Sequence, residues 1–394
     1  MAVSGVFASD QNIVANRVGD FASSLLQVNP TGSAPMFALT AGMESQEAQD
    51  TIVNWFEEVK LTGRKQITSV NGDGDSTDFD VSDVSDYIVG TVLLNETTSE
   101  YVLVTAISGS TMTVTRGIGG STQTTMTTSH FFQRIGVGFE EGSALPTAVV
   151  NLGDVRFNVT QIFRNSWNIT GTAKAIKFHT GNQAAKNRAD CAFFHAEDIE
   201  RSLMWGKKHI GSLNSKPFRL MDGLTVQGTN HGAQITSQST NVQWADLVGH
   251  FKNIFEKNIK GKPNERIAFC GNSVLQVVGE IAALDGTQNV QPGQTDFGMQ
   301  VTKLITPFGN ISLMTHPLMN ENAIWTKNLY TFHPGAIRVR WLRRTNIEGY
   351  DKDGQRVSGV DADQGVYTSE LSVQLMAAQT AGHYTGIDTA AAAS

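Results

Sequence analysis

The sequence predicts an α+β fold in which one long helix and several strands support an extended β loop that contains an inserted small all-β domain. Residues 182–209 form the longest helical pattern. Residues 65–134 are rich in Thr, Ser, Val, Gly and Asp and contain short alternating apolar runs between turn signals. Residues 241–284 contain a helix pattern, a strand pattern and a second helix pattern, which is typical of a compact α/β lobe.

Length and composition limit the class of protein. A chain of 394 residues has room for two or three structural units, and 40% hydrophobic with 17% charged residues is typical of a soluble globular protein. The net charge of −7 argues against nucleic acid as a directly bound partner, because such binding needs a basic surface. An acidic protein surface can still enclose DNA without binding it directly.

The sequence has no feature of a secreted or membrane protein. The two cysteines, Cys191 and Cys270, are too few for a disulfide framework or a zinc site, so we expect synthesis in a reducing cytoplasm. The sequence lacks a basic start followed by an apolar run, and no apolar run approaches about 18 residues. We therefore expect neither a standard secretion signal nor a membrane-spanning segment.

The N-terminal third reads as an arm, a ribbon and an inserted module. The first 40 or so residues are weakly periodic and predict an extended arm with a short helix near residues 17–26. Residues 47–64 predict a half-buried extended segment. Residues 65–134 predict a small antiparallel barrel or sandwich, with turns at Asn71-Gly72, Asn95-Glu96 and residues 108–110. A second ribbon-like stretch, residues 138–173, leads into the long helix.

The long helix is predicted to have one packed face, and at about 1.5 Å per residue it would span roughly 42 Å. The predicted apolar stripe consists of Ala192, Ala196, Ile199 and Leu203, with Phe193 and Met204 beside it. The residues assigned to the solvent-exposed or partner-contacting faces are Lys186, Arg188, Asp190, Glu200, Lys207 and Lys208.

The C-terminal half predicts a loop with a short strand (216–232), then an amphipathic helix capped by Thr240 or Asn241 and stopped by Gly261 and Pro263. After it we expect a strand (266–270), a helix (273–284), a hairpin turning at 308–310, and a strand (323–327), listed here in chain order. The strands near 337–344 and 368–387 are expected to return beside the long helix.

No pattern in the sequence supports catalysis, a cofactor or a metal centre. The nine histidines form no HExxH or similar pair at ligand spacing. The acidic cluster Asp73, Asp75, Asp78, Asp80, Asp83 and Asp86 resembles a calcium loop but lacks its spacing, so a solvated hairpin edge is the alternative that we favour. The glycines of residues 116–122 follow a strand without a helix or lysine after them, which indicates a tight turn and not a phosphate loop.

The one concentrated basic patch in the sequence lies near Trp341 and consists of Arg338, Arg340, Arg343 and Arg344. Arginines around an aromatic residue can bind single-stranded nucleic acid. On a strand of alternating polarity, ion pairs with acidic neighbours are the commoner role. We favour contact with an acidic adjacent subunit and keep nucleic-acid binding as the alternative.

Several segments resemble the major capsid protein of tailed bacteriophages, which has the Hong Kong 97 fold. The resemblance rests on the order of the elements and on diffuse similarity that touches most of the chain. The matching segments are AGMESQEAQDTIVNWFEE (41–58), VLVTAISGSTMTVTRGIGG (102–120), DIERSLMWGKKHIG (198–211), MDGLTV (221–226), TPFGNISLMTHPLM (306–319) and LSVQLMAAQTAGHYTGI (371–387).

The resemblance implies a domain organisation. In chain order, it comprises an N-terminal arm (1–44), an extended loop region (45–178) containing the inserted β domain at about 65–134, a peripheral domain (179–241) with the spine helix 182–209, an axial domain (242–330), and C-terminal strands that return to the peripheral domain (331–394). No motif places a covalent cross-link, although Lys60 and Lys65 lie in the right region by general position.

The resemblance also implies a function and partners. Family members form pentamers and hexamers of an icosahedral head around packaged double-stranded DNA, are assembled in the host cytoplasm as a procapsid, and expand as spine helices and loops reorient. We expect a portal at one vertex, separate scaffolding and decoration proteins, and no membrane. The scaffold is expected to be separate because the chain begins almost directly with the arm. The expected subunit-interface residues are Trp55, Phe56, Glu57, Glu58, Lys60, Arg64, Arg338 and Arg340.

Two other functions compete with this interpretation. The first is a phage tail or surface adhesin whose β module binds carbohydrate through Tyr87, Tyr101 and Arg116. The second is an enzyme, most plausibly a hydrolase, although no catalytic motif in the sequence supports it.

Overall fold

The computed structural model describes the following residues: 45–58, 63–72, 76–146, 148–149, 153–178, 181–238, 241–259, 261–284, 290–291, 295–296, 299–348 and 361–389. The predicted arm, Lys60, Asp73 and Asp75 lie outside these ranges. Within them, no helix is long and apolar enough to cross a membrane.

The strands, in chain order, are β1 (Ser45–Glu47), β2 (Ile52–Glu57), β3 (Arg64–Val70), β4 (Asp78–Val81), β5 (Thr91–Asn95), β6 (Tyr101–Ser108), β7 (Thr111–Thr115), β8 (Phe131–Val137), β9 (Asp154–Val159), β10 (Gln161–Thr170), β11 (His209–Leu213), β12 (Lys216–Leu220), β13 (Gln234–Ser237), β14 (Glu265–Cys270), β15 (Val290–Gln291), β16 (Thr295–Asp296), β17 (Met299–Thr306), β18 (Gly309–Thr315), β19 (Leu329–Phe332), β20 (Ile337–Glu348), β21 (Ala362–Leu375) and β22 (Gly382–Thr385). The helices are α1 (Gly171–Ala175), α2 (Gln183–Trp205), α3 (Leu224–Asn230), α4 (Trp244–Phe255), α5 (Asn272–Leu284) and α6 (Pro317–Asn320).

The chain divides into two compact units. Unit 1 contains Met1–Trp55 and Phe157–Ser394, and unit 2 contains Phe56–Arg156. The chain passes between the units within β2 and β9, which form a two-stranded ribbon. The finer boundaries predicted at 178/179, 241/242 and 330/331 all fall inside unit 1 and stay predictions.

Unit 2 is a closed barrel with the strand order β3-β4-β7-β6-β5-β8, so of the two predicted architectures the barrel is the one observed. Its strand pairs are antiparallel. Alternate side chains point inward, as the period-2 pattern requires. The core includes Ile67, Phe79, Leu93, Met112 and Phe132, which are all fully buried.

The long helix of unit 1 packs on a four-stranded sheet of order β1-β20-β21-β10. Asn182 is its N-cap, and the Asn182 side chain accepts hydrogen bonds from the backbone N–H groups of Ala184 and Ala185. With 23 residues, the helix spans about 35 Å. The predicted return of the C-terminal strands to the helix is observed for β20 and β21, whereas β22 joins another sheet.

The predicted end of this helix at His209 is wrong, because α2 ends at Trp205 and His209 begins β11. The chain turns here because two glycines allow close backbone contact. The Gly223 N–H donates to Gly206 O at 2.8 Å, and a Cβ on Gly206 would lie only 2.7 Å from Met221 O. A continuing helix would occupy the space that this returning segment fills.

The packed face of α2 also differs from the predicted stripe. Ile199, Leu203 and Met204 are buried as predicted, but Ala192, Phe193 and Ala196 are only half-buried. The other buried positions are Cys191, His195, Glu197 and Glu200. The assignment of Glu200 to a solvent-exposed or partner-contacting face is therefore wrong, because its carboxylate contacts the buried His316, 116 residues further along the chain.

The second sheet of unit 1 has the order β13-β22-β19-β14-β18-β17-β15, with β16 paired to β17. Helices α4 and α5 contribute Leu247, Phe251, Ile254, Val274 and Val277 to its core. The predicted strand 266–270, the helix 273–284 and the 301–316 hairpin are observed with small shifts at their ends.

Four local predictions in this half are wrong. The N-cap of helix α4 is Gln243, and not Thr240 or Asn241; the Gln243 N–H donates to Asp246 Oδ2 at 2.9 Å. The helix starts at Trp244 and ends at Phe255, before the predicted stop at Gly261. The predicted strand 323–327 contains a 3₁₀ turn at Trp325–Lys327. Helix α3 lies in the predicted 216–232 loop because its apolar residue Leu224 is buried against the long-helix core. Tertiary packing decided this short segment, since seven residues cannot hold a helix alone.

Candidate functional site

The predicted interface residues of the ribbon lie on its two faces. In β2, Val53 and Trp55 are buried, and Trp55 is only 5% exposed. Ile52 and Phe56 alternate with them and are exposed, Phe56 by 75%. A two-stranded ribbon is marginally stable alone, so an uncovered apolar face on it is suited to contact with another surface. Trp55 therefore fixes the ribbon from within, while Phe56 is available to a partner.

The acidic residues that follow Phe56 differ in exposure: Glu57 is half-buried and Glu58 is exposed. Arg64 begins the barrel and is already engaged within unit 2. Its Nε and Nη2 donate to the two carboxylate oxygens of Glu96 at 2.7 and 2.8 Å, and its guanidinium lies 3.8 Å from the ring centroid of Phe131. The hydrogen bonds from Arg64 lower the pKa of Glu96.

Arg338 and Arg340 lie at alternate positions of β20, on the opposite sheet face from Ile337 and Val339, which pack in the core. Arg340 Nε donates to Gln374 Oε1 at 3.2 Å. The neighbouring Arg343 pairs with Glu370 Oε2 at 2.9 Å within the same chain. Part of the basic patch is thus neutralised by the adjacent strand β21.

Glu370 is the centre of a polar contact that the sequence analysis missed. This carboxylate is 4% exposed, accepts a hydrogen bond from Thr160 Oγ1 at 2.9 Å, and pairs with Arg219 at 3.5 Å as well as with Arg343. Its partners are separated by up to 210 residues in sequence, so local patterns contain no sign of it.

Two of the three residues predicted for carbohydrate binding lie inside the barrel. The Tyr87 hydroxyl lies 3.2 Å from both Gly63 O and Phe132 O and can donate to either of them. Burial raises the Tyr87 pKa. Arg116 forms a buried ion pair with Glu100 at 2.7 Å. Of the three, Tyr101 alone is exposed. These three residues therefore do not form an exposed aromatic and arginine cluster that could bind a sugar.

The acidic cluster does not form a cation site in the part of the chain that the structure describes. Lys65 Nζ contacts Asp83 at 2.6 Å and Asp86 at 3.2 Å, and Asp80 accepts hydrogen bonds from Asn71 and Thr111. After desolvation, which opposes the effect, the hydrogen bond from Lys65 is the main cause that lowers the Asp83 pKa to about 2. No described group of three or more His, Cys, Asp or Glu side chains could hold a metal.

Comparison with known proteins places this architecture among capsid proteins. The sequence model of the SU10 major capsid protein family matches residues 7–388. The chain is 26% identical over 403 aligned residues to the major capsid protein of Pseudomonas phage PaMx41, with 98% of this chain and 96% of that protein covered.

Solved structures are similar to this chain at low sequence identity. A chain of Mycobacterium phage Cain is 8% identical, with a TM-score of 0.50 and coverage of 96% of this chain and 98% of that chain. A chain from the capsid of Myoviridae phage XM1 is also 8% identical, with a TM-score of 0.47 and coverage of 98% and 100%.

Proposed function

This chain belongs to the SU10 major capsid protein family, and we propose that it self-assembles into the pentamers and hexamers of an icosahedral phage head that encloses double-stranded DNA. The predicted Hong Kong 97 fold class and the role as a phage major capsid protein are confirmed. The family favours this role over the alternative adhesin role.

The observation that supports subunit contact through the ribbon is the exposure of Phe56 beside the buried Trp55. Covering a phenylalanine side chain stabilises a contact by about 1.5–3 kcal/mol. Because every copy in a shell repeats the contact, the sum is large. We propose that Phe56, Glu57 and Glu58 contact a neighbouring subunit and that Arg64 and Trp55 hold the ribbon and barrel in shape. Lys60, Arg338 and Arg340 are proposed interface residues by position.

The test is the substitution Phe56→Glu, with Ile324→Glu as control because Ile324 is similarly exposed, at 71%, and lies outside the ribbon. We expect Phe56→Glu to abolish shells in electron micrographs of producing cells while the circular dichroism spectrum of the subunit is unchanged. Normal shells from Phe56→Glu would refute the ribbon contact.

A second test, Arg338→Glu with Arg340→Glu, separates the two roles of the basic patch. Failed assembly indicates subunit contact, and loss of DNA from normal particles indicates DNA contact.

The remaining partners follow from the same proposal. Assembly takes place in the host cytoplasm as a procapsid with separate scaffolding and decoration proteins, and a portal occupies one vertex. The net charge of −7 supports enclosure of DNA without sequence-specific binding.

A further inference from the structure

Unit 1 contains a two-stranded hairpin, β11–β12, that belongs to neither of its larger sheets. Asn214 and Ser215 form its turn with φ values of 51° and 60°, so Leu213 and Lys216 are directly opposed at the tip. Leu213 is 58% exposed, and Lys216 is exposed and forms no ion pair with the described residues. A short hairpin with an apolar tip is not self-sufficient in water. It is suited to insertion into an apolar site.

The base of the hairpin is anchored, so that its tip projects in a fixed direction. Arg219 pairs with the buried Glu370, and Lys208 Nζ lies 3.7 Å from Asp222 Oδ2 and 3.9 Å from the ring centroid of Phe157. These contacts use the basic residues nearer the base. Lys216 remains as the charge at the tip.

Unit 2 contains a groove with matching properties. Its volume is about 680 Å³, and its walls are residues 88–90, which precede β5, the middle of β6 (103–105) and the segment 138–146. Val89, Leu103, Phe139 and Leu145 supply apolar lining, and Leu145 is 97% exposed. Glu140 contributes the negative charge of the lining.

The groove is formed by the backbone before any occupant arrives. The Gly138 N–H donates to Gly90 O at 2.9 Å, and the Gly90 N–H donates to Val104 O at 2.8 Å. Gly90 has a φ of 91°, and a Cβ there would lie 2.6 Å from Gly138 O, so only glycine allows this approach. The segment that begins at Gly138 is thereby held against the barrel.

We propose that the tip of hairpin β11–β12 in one subunit inserts into the barrel groove of a second copy of this chain, with Leu213 in the apolar lining and Lys216 beside Glu140. The inference rests on the proposed function, since shell assembly brings many copies side by side. A tip in one copy and a groove in another make a heterologous contact, which closes into rings when the rotation allows. The opposite charges of Lys216 and Glu140 select the register.

The exposed apolar residues favour a protein partner over DNA. Contact with a phosphate backbone needs basic and polar groups, whereas Ile210 and Leu213, both 58% exposed, would be left against a polyanion without apolar partners. DNA contact by this hairpin is an outcome that the test can detect.

The first experiment is a charge exchange in the full-length chain. We expect Lys216→Glu alone and Glu140→Lys alone to lower the yield of shells about tenfold, because each places like charges together. The double variant Lys216→Glu with Glu140→Lys should restore the yield, which a folding defect would not do. Lys177→Glu, at an exposed lysine outside both surfaces, is the matched control.

The second experiment tests which copy provides the groove. Chains with Leu213→Cys are assembled together with chains with Leu145→Cys and oxidised by copper phenanthroline; the native Cys191 and Cys270 are buried. We expect covalent dimers on a non-reducing gel in the mixture and none with either variant alone.

The outcomes are distinct. Normal shells from both single charge variants, together with no dimers in the mixture, would overturn the inference and leave the proposed function intact. Normal shells from Lys216→Glu that lose DNA would overturn it in favour of DNA contact. If the unsubstituted chain forms no shells at all, the proposed function itself fails.

Discussion

His316 Nε2 lies 2.7 Å from Glu200 Oε1, and both side chains are fully buried. The carboxylate can only accept, so Nε2 donates. Trp205, the last residue of α2, stacks on Trp325 with ring centroids 4.1 Å apart and meets the His316 ring edge-on. The long helix is thus joined to the α/β lobe by a buried polar contact and an aromatic stack at its C-terminal end.

Removing one partner of this contact should be costly. We expect His316→Ala to lower the free energy of unfolding by about 3–5 kcal/mol, because the Glu200 carboxylate would lose a buried partner. Glu200→Gln keeps a hydrogen-bond acceptor and should cost less. Urea denaturation of the unassembled subunit, followed by tryptophan fluorescence, measures both. Equal midpoints for the two variants would contradict the expected cost of leaving the Glu200 carboxylate buried without its His316 donor.

The barrel should depend on the ion pair between Arg116 and Glu100, whose side chains are 2% and 0% exposed. Arg116→Met leaves Glu100 buried without its cation and should destabilise unit 2 by about 3–5 kcal/mol. The double variant with Glu100→Gln should recover part of the loss. Hydrogen exchange measures this destabilisation. We expect the backbone amides of β6 and β7 to lose protection, and the α4 amides in unit 1 serve as the internal control. Unchanged exchange in β6 and β7 would rule out this dependence.

Two buried histidines should make the subunit sensitive to acid. Burial lowers the pKa of His250 to about 4, with a smaller repulsive effect from His383, and burial alone lowers that of His383 to about 4. A histidine with a depressed folded pKa contributes full stability above its unfolded pKa of 6.5 and loses it as pH falls toward 4. The loss at pH 5 is roughly 2 kcal/mol for each histidine.

The measurement is the urea midpoint of the subunit at pH 7 and at pH 5. The variant His250→Gln removes one titrating group, so the difference between the two midpoints should shrink by the contribution of one histidine. The absolute stability of the variant does not matter, since the readout is the difference. An undiminished pH dependence in His250→Gln would mean that other groups, such as carboxylates, cause the acid sensitivity.

Gly365 should be intolerant of a side chain. A Cβ at Gly365 would lie 2.3 Å from the ring of Trp167, which is buried against it. We expect Gly365→Ala to destabilise unit 1 by about 1–3 kcal/mol through overpacking. Gly249→Ala is the control, because Gly249 lies in helix α4 with open space around it, and it should instead stabilise by roughly 0.5–1 kcal/mol. A thermal shift of the same sign for both variants would contradict the packing argument.

Local patterns predicted the elements whose residues repeat regularly. The alternation in residues 65–134 predicted the barrel strands, and the 3.6-residue period predicted α2 and α4. Those patterns report which side chains must leave water, so they are readable one segment at a time. They also identified Phe56 as apolar, but they could not show that Trp55 is covered and Phe56 is not.

The errors share a cause. Glu200 has the charge of a surface residue, and its hydrogen bond with His316, 116 positions away, makes its burial favourable. The end of α2 at Trp205 depends on a returning segment near Met221 and Gly223. Helix α3 forms because a core already exists for Leu224.

The fold class, the long helix and the barrel were predictable from the amino-acid pattern, because hydrophobic periodicity acts over neighbouring residues. The packed three-dimensional fold was needed to show which polar groups are buried, where helices end and which apolar residues stay exposed for a partner. These depend on contacts between segments far apart in the chain, and the free energy of such a contact is absent from either segment alone.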